Sequence, residues 1–353
     1  MTKRVTIRSV AREAGVSVST VSNVLNGRHA EMTDETRQRV LATIERLDYR
    51  PNRLAQSLAT NRTRTIALVI SELTNSLYPP VLLGAEAACR AAGYDLLLAN
   101  APDVDAERRT VEVLLDKRVD GLILFSASVL NIDNEHLLRA QRAGLPVVVI
   151  NRHLPDNAPM EQIRFDHRGG ALLATDHLLA LGHRRVAHIA GPVGRFTGVL
   201  RRAGYEAALR QAGIEPETGL VAVGDYSFNS GHAALLAIWP QRPSAVFVGG
   251  DVMALGALRA ARDLGLRVPG DLSLVAFGNP DSVRYATPGI TTIDLPVVEA
   301  GRMAAASILH SAGDGRGQAK EARTLETTLL IRETTASRQR GREAAPAAKE
   351  QPR

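Results

Sequence analysis

Four side chains near the N-terminus have the types and the spacing to read a base pair. Val18 and Ser22 are four residues apart, as are Ser19 and Asn23, so a helix through "VSTVSNVL" presents all four on one side. An asparagine carboxamide can meet an adenine edge with two hydrogen bonds, and valine methyls suit the thymine methyl. A helix this short can enter a major groove with its N-terminal end on the base edges. Thr6, Ser17, Thr20 and Asn26 stand where hydroxyls and a carboxamide could meet phosphates. A plain helical hairpin could carry the same pattern; the turn, the core and the charge around it favour DNA.

The elements that position this face are legible. Residues 4–48 read as three short helices. Thr6 can cap the first, and Gly15 suits the left-handed turn that ends it. Ser17 can cap the second, which Asn26 and Gly27 end. Thr33 can cap the third, with Asp34 and Glu35 in the first turn, where the helix dipole favours anions. Val10, Ala11, Val16, Val21 and Leu25 can build a small core, and Val40, Ile44 and Leu47 share a face of the third helix. Residues 1–64 hold 12 basic and 6 acidic side chains, within a chain of net charge +6. A basic head on a near-neutral body points to a polyanion partner for the head alone.

From Ile66 the pattern changes. Apolar runs of strand length ("IALVI", "YDLLLA", "GLILF", "PVVVI", "RVAHIA", "GLVAV", "AVFVG", "LSLVAF") alternate with amphipathic stretches of ten residues or so. Near-continuous apolar strands alternating with helices imply parallel sheets covered on both faces, and about ten strands imply two lobes. A chain of 353 residues is long enough for two or three domains. None of the apolar runs is long enough to span a membrane, and the N-terminus lacks an apolar signal core, so a cytoplasmic protein is expected. The single cysteine, Cys89, excludes an internal disulfide and reads as a packing residue. The nine histidines show no metal-ligand spacing, and His183 and His188 read as structural. No P-loop, no GxGxxG after a strand, no GxSxG and no HExxH occurs, so no catalytic residue, metal or cofactor is expected.

The motifs "VTIRSVAREAGVSVSTVSNVLNGR" and "TRQRVLATIERLDYRPNRLAQSLAT" closely resemble the DNA-binding head of the lac repressor (LacI/GalR) family. The likeness continues in "LGHRRVAHIAGP", "DVMALGALRAARDLGLRVPGDLSLVAF" and "PGITTI", and covers about residues 4–335. It implies a helix-turn-helix head over 1–50, a hinge helix and linker over 51–64, and a two-lobe core over 65–336 that resembles periplasmic binding proteins. The lobes are expected at 65–163 plus 294–322 and at 164–293 plus 323–336, with a disordered tail over 337–353. The tail has no leucine heptads for a helical bundle, so a homodimer rather than a tetramer is expected. In the hinge the resemblance places Leu58 as an apolar wedge in the minor groove of a pseudo-palindromic operator, with Ala55 beside it and Asn52 nearby. Many relatives carry Arg where this chain has Asn23, so their operator letters do not transfer.

The resemblance also implies a small-molecule effector between the lobes, at loops that follow the strands. Asn75 and Tyr78 follow the first run, Ser126 the third and Asn151 the fourth; Asp166 precedes a helix; Arg201, Tyr226, Asp251 and Asn279 complete the set. Arg201 matches the family's effector-gripping arginine, whereas Arg202 reads as solvated. Asp251, at a helix start, fits capping as well as ligand binding. Relatives that bind neutral sugars usually read Asp-Asp where this chain has Gly278-Asn279, and often Asn where it has Gly250. A sugar acid is therefore as fitting an effector as a neutral sugar.

Overall fold

The computed structural model describes residues 5–25, 32–50, 62–73, 76–125, 133–152, 154–155, 158–314 and 322–338. They fall into two compact units, residues 1–64 and 65–353.

In the first unit, α1 (Ile7–Ala14), α2 (Val18–Leu25) and α3 (Asp34–Arg46) pack around one small core. Thr6 caps α1 in a capping box with Ser9, and Gly15 ends it at φ 65°. Ser17 Oγ accepts from the Thr20 amide at 3.1 Å and so starts α2. Thr33 Oγ1 accepts from the Thr36 amide at 3.3 Å and starts α3. Val10, Val21 and Val40 are fully buried, joined by Ala11, Ala14, Val24 and Tyr49. Val16, Leu25, Ile44 and Leu47 close the rim, partly buried. The expected core is thus right in Val10, Ala11 and Val21, whereas Val24 holds the inner position on α2 expected of Leu25. Arg46 ties α3 to Glu13 of α1 at 3.2 Å.

The second unit has two six-stranded sheets. The first runs in the order β2-β1-β3-β4-β5-β11 and is wholly parallel. Its strands are β1 (Thr65–Ile70), β2 (Asp95–Asn100), β3 (Gly121–Phe125), β4 (Val147–Ile150), β5 (Glu161–Phe165) and β11 (Arg323–Leu325). The second runs β7-β6-β8-β9-β10-β12: β6 (Val186–Ala190), β7 (Val221–Val223), β8 (Ala245–Val248), β9 (Ser273–Phe277), β10 (Thr291–Asp294) and β12 (Thr328–Leu330). Only β12 is antiparallel in it, paired to β10. The helices α4 (Tyr78–Ala91), α5 (Val104–Asp116), α6 (Glu135–Arg142) and α12 (Val297–Asp314) cover the first sheet. Around the second lie α7 (His167–Ala180), α8 (Phe196–Gln211), α9 (Phe228–Ile238) and α10 (Asp251–Asp263), with the short α11 (Asp281–Arg284) after β9. Val, Ile and Leu fill β1, β3 and β4 because both faces of those strands are covered.

The chain crosses between the sheets three times: after Phe165, after Asp294 and after Leu325. Two crossings fall later than the expected lobe boundaries at 163 and 322, because Phe165 pairs with Leu325 in the first sheet. Among the described residues, no helix is long and apolar enough to cross a membrane. Most of the expected tail, 339–353, lies outside the described residues.

Candidate functional site

On α2 the inward positions are Val21 and Val24, which leaves the opposite side of the helix for a ligand. Val18 is 42% exposed there, an aliphatic side chain left outside a core that has room only for its neighbours. Ser19 is exposed beside it, and Ser22 and Asn23 are half-buried at the edge of the same face. Ser17 Oγ lies 2.7 Å from Ser19 Oγ and 2.8 Å from Thr20 Oγ1, so three hydroxyls cluster at the N-terminus of α2. Helix N-terminal amides and hydroxyls together suit a phosphate. Thr6 Oγ1 is engaged by Ser9 at the start of α1 and remains exposed. Asn26, Asn52, Ala55 and Leu58 lie outside the described residues.

In the core domain the polar side chains gather at the C-terminal ends of strands, where β4, β6 and β8 give way to loops. Asn151 follows β4 with φ 55°, and Tyr226 follows β7 with φ 71°. Non-glycine residues held at positive φ store strain, and such strain concentrates at ligand sites. Tyr226 is accommodated by glycines: a side chain on Gly191 would collide with its hydroxyl, and one on Gly250 would press on its ring. Its hydroxyl lies 3.1 Å from Thr197 Oγ1.

Arg201 projects from α8 into this cluster. Its Nη1 donates to the Gly249 carbonyl at 2.6 Å, and its Nε and Nη2 reach His167 Nδ1 at 3.4 and 3.3 Å. The guanidinium lies 3.9 Å from the Phe277 ring centroid and 6.0 Å from that of Tyr226. Burial lowers its pKa, while Tyr226 and Asp251 act in the opposite sense. His167 is fully buried among Phe165, Phe196 and Phe277. Burial, with the Arg201 charge added, holds its pKa well below the ordinary histidine value. A guanidinium offers only donors, so Nδ1 is the acceptor and the proton sits on Nε2. That Nε2–H donates to Asn151 Oδ1 at 2.6 Å. Asn151, His167, Arg201 and the Gly249 carbonyl therefore form one relay that starts in the first lobe and ends in the second. A second link between lobes joins the Ser76 hydroxyl to the Asp251 carboxylate.

The structure thus joins Asn151 to Arg201 through a residue the sequence reading left out, His167, with Tyr226 and Asp251 on the Arg201 side. No motif marks it: its partners are 16 and 34 residues away. Asp251 is the first residue of α10 behind the cap Gly250 and makes no capping bond, so its carboxylate serves the lobe contact. Asp166, by contrast, caps α7 by accepting from the Gly169 amide at 2.7 Å. Tyr78 is buried edge-on against Phe125, with its hydroxyl 2.5 Å from Ser71 Oγ. The Asn279 carboxamide oxygen accepts from Arg332 at 2.5 Å. Asn75 and Ser126 lie outside the described residues. Gly278 packs on Asp251 at φ 106°, a conformation that disfavours any side chain there.

Arg202 faces the other way along α8 and bonds Glu206 at 2.8 Å beside a surface cavity of about 320 Å³. Val193, Val199 and this ion pair line it together with Gly191, the glycine that abuts Tyr226. Among the described residues, no cluster of His, Cys, Asp and Glu is placed to hold a metal ion. His183 bridges Ser244 and Ser273, and His188 is stacked between Tyr205 and Phe247; both are structural.

Residues 6–52 match the bacterial regulatory proteins of the lacI family, and residues 175–335 match a periplasmic binding protein-like domain. The ribose operon repressor of Escherichia coli (strain K12) is 36% identical over 308 residues, which cover 86% of this chain and 92% of that protein. The lac repressor dimer bound to operator and the anti-inducer ONPF superposes with a TM-score of 0.83 at 31% identity, over 95% of this chain and 100% of that one. The transcriptional regulator CelR in complex with cellobiose gives a TM-score of 0.71 at 33% identity, over 94% and 100% of the two chains. The chain therefore belongs to the lacI family of bacterial regulatory proteins, DNA-binding regulators that take small-molecule effectors in the core domain.

Proposed function

We propose that this regulator is a cytoplasmic repressor, not an enzyme, that binds a pseudo-palindromic operator as a homodimer and releases or tightens it when a sugar-like effector enters the cleft. The observation that carries the DNA reading is the outward face of α2: exposed Val18 and Ser19, with Ser22 and Asn23 beside them, above a core complete without them. Asn23 reads a base edge, Val18 meets a thymine methyl, and Ser17, Thr20 and Thr6 hold phosphates. Asn26 adds a phosphate contact, while Asn52, Ala55 and Leu58 enter the minor groove from the hinge.

One such helix covers half a site, so a dimer is required. The edge strands of both sheets support this: β2 exposes Leu97 and Leu98, and β7 exposes Val223 with Phe228 close behind it. Apolar residues on unpaired edges suit a protein partner. The effector reading rests on Asn151, Arg201, Tyr226 and Asp251 converging at the strand ends, where ligands meet parallel α/β sheets. The two links between lobes, Ser76–Asp251 and Asn151–His167, are contacts that a ligand must displace or bridge. The lac repressor structure is a dimer on operator DNA and the CelR structure holds cellobiose, which fits both halves of the proposal.

Selection of bound duplexes from a random pool with the full chain tests the DNA half. A two-fold symmetric motif is expected, and Asn23→Ala should relax one base pair in each half-site by roughly 1–3 kcal/mol. An asymmetric motif, or equal weakening on every sequence, would refute the assigned contacts.

A further inference from the structure

Two arginines of the core domain are buried almost equally, yet only one has a carboxylate. Arg152 is 1% exposed and Arg201 5%. Nη1 of Arg152 donates to both Glu107 oxygens at 2.8 and 2.9 Å, and its Nε donates to Asn134 at 2.8 Å. Arg201 bonds only neutral acceptors, the Gly249 carbonyl and the uncharged His167 ring, with Phe277 against its face. Among the described residues, no carboxylate stands within ion-pair distance of it. Asp251 reaches it only through space and is already engaged by Ser76. Taking a guanidinium out of water without a counter-ion is costly, and proteins seldom do so without a partner.

The unused donors show where a partner fits. A guanidinium has five N–H donors. Three of those on Arg201 point at His167 and Gly249, which leaves one on each terminal nitrogen. Donors on adjacent nitrogens are the pair that an oxyanion takes with two oxygens. We propose that the effector is a small hydroxylated anion whose carboxylate or phosphate group binds Arg201, supplying the counter-charge that Glu107 supplies to Arg152. Asp251 repels that end of the ligand, so the hydroxyls face Asp251 and Asn151 while the anion faces Arg201. The inference rests on the effector site placed above and adds the ligand's charge to it.

The test is thermal unfolding and titration calorimetry on the full chain at fixed ionic strength. The probes are D-glucuronate and D-gluconate, glucose 6-phosphate, and the neutral sugars D-glucose and D-ribose. Proteins compared are the unaltered chain, Arg201→Met, Arg201→Lys and, as a control for unspecific charge, Arg202→Met. One anionic class is expected to raise Tm by a few degrees in the unaltered chain and in Arg202→Met. Arg201→Met should bind that probe at least tenfold more weakly. Arg201→Lys, which keeps the charge and loses the fork, should retain part of the affinity. Whether the uronates or the phosphate ester bind identifies the anion. A neutral sugar that binds through Arg201 while every anion fails overturns the proposed charge and leaves the effector site standing. If no probe distinguishes the unaltered chain from Arg201→Met, both the charge and the placement of the site fall.

Discussion

Arg152 and Arg201 show how one fold treats two buried cations in opposite ways. Around Arg152 the protein supplies its own counter-charge: Glu107 receives two hydrogen bonds from the guanidinium and one from His136 at 2.7 Å. Burial alone would raise the Glu107 pKa, but the His136 hydrogen bond and the Arg152 charge outweigh it and hold the carboxyl below its ordinary value. Around Arg201 no described carboxylate stands at ion-pair distance, at the place where strand ends, strained backbone and both contacts between lobes converge. A buried cation with its own carboxylate serves stability; one without fits the ligand site proposed for it. The lesson is to ask of a buried charge what neutralises it, before asking what it resembles.

The largest effect is expected where the cation has its carboxylate. Arg152→Met leaves Glu107 buried without its cation, which typically costs about 3–5 kcal/mol. Urea unfolding followed by the single tryptophan, Trp239, reports this directly, since Trp239 lies in the core domain. The sign with pH follows from the depressed carboxyl. The pair's contribution is intact at neutral pH and is lost as pH falls through the lowered Glu107 pKa, below about 4.3. There the variant and the unaltered chain should converge. A loss under about 1 kcal/mol at pH 7 would place Arg152 with the weak surface pairs and erase the contrast.

His188 sharpens the comparison with a base that the fold keeps neutral. It is stacked on Tyr205 and Phe247 at 4.9 and 4.8 Å, its Nδ1 donates to the Phe247 carbonyl, and burial lowers its pKa to about 4. The unfolded chain therefore takes up this proton first as pH falls from about 6.5. Stability should drop between pH 6.5 and about 4, by about 3 kcal/mol for this group. His183 and His167 add to the slope in the same direction, so the informative quantity is the difference between the unaltered chain and His188→Phe. Parallel pH curves for the two proteins would show that His188 titrates normally.

The smallest effect is expected at Arg201. Arg201→Met removes a buried charge that no described carboxylate neutralises but strands the His167 Nδ1 and Gly249 carbonyl acceptors, so the loss of unfolding stability should be about 1–2 kcal/mol, below that of Arg152→Met. A loss as large as that of Arg152→Met would mean that the two arginines do the same job.

Much of this was legible in the sequence, and the misses share a cause. Eight strands announce themselves as runs of Val, Ile and Leu: in β1, β3, β4, β6, β8 and β9 because both faces are buried, and in the edge strands β2 and β7 despite exposed apolar side chains. β5, "EQIRF", does not, because its polar side chains are buried with partners elsewhere in the chain. Gln162 donates to the Pro155 carbonyl, Arg164 to that of Leu154, and Glu161 accepts from Ser307. β10, "TTID", is hidden in the same way: Thr292 donates to the Gly278 carbonyl, and the Thr291 amide to Thr334 Oγ1. Asp251 was legible as a candidate but its contact was not, since Ser76 lies 175 residues away. His167 was missed outright. Local pattern reveals what a residue buries, whereas satisfied polar burial depends on partners that only the fold brings near.

The central claim is that a ligand in the cleft changes the grip of the head on DNA. It is tested most directly by the dissociation constant of the full chain for its selected duplex, with and without a saturating probe that stabilises the core, in the unaltered chain and in Arg201→Met. Coupling between the sites predicts a change of roughly 5–150-fold in the unaltered chain. By reciprocity, the duplex should change the probe's affinity by the same factor. Arg201→Met should bind the duplex as tightly as the unaltered chain does without probe, and show no change when probe is added. An equal change in both proteins, or a probe that binds the core and leaves the duplex affinity untouched, would contradict the account.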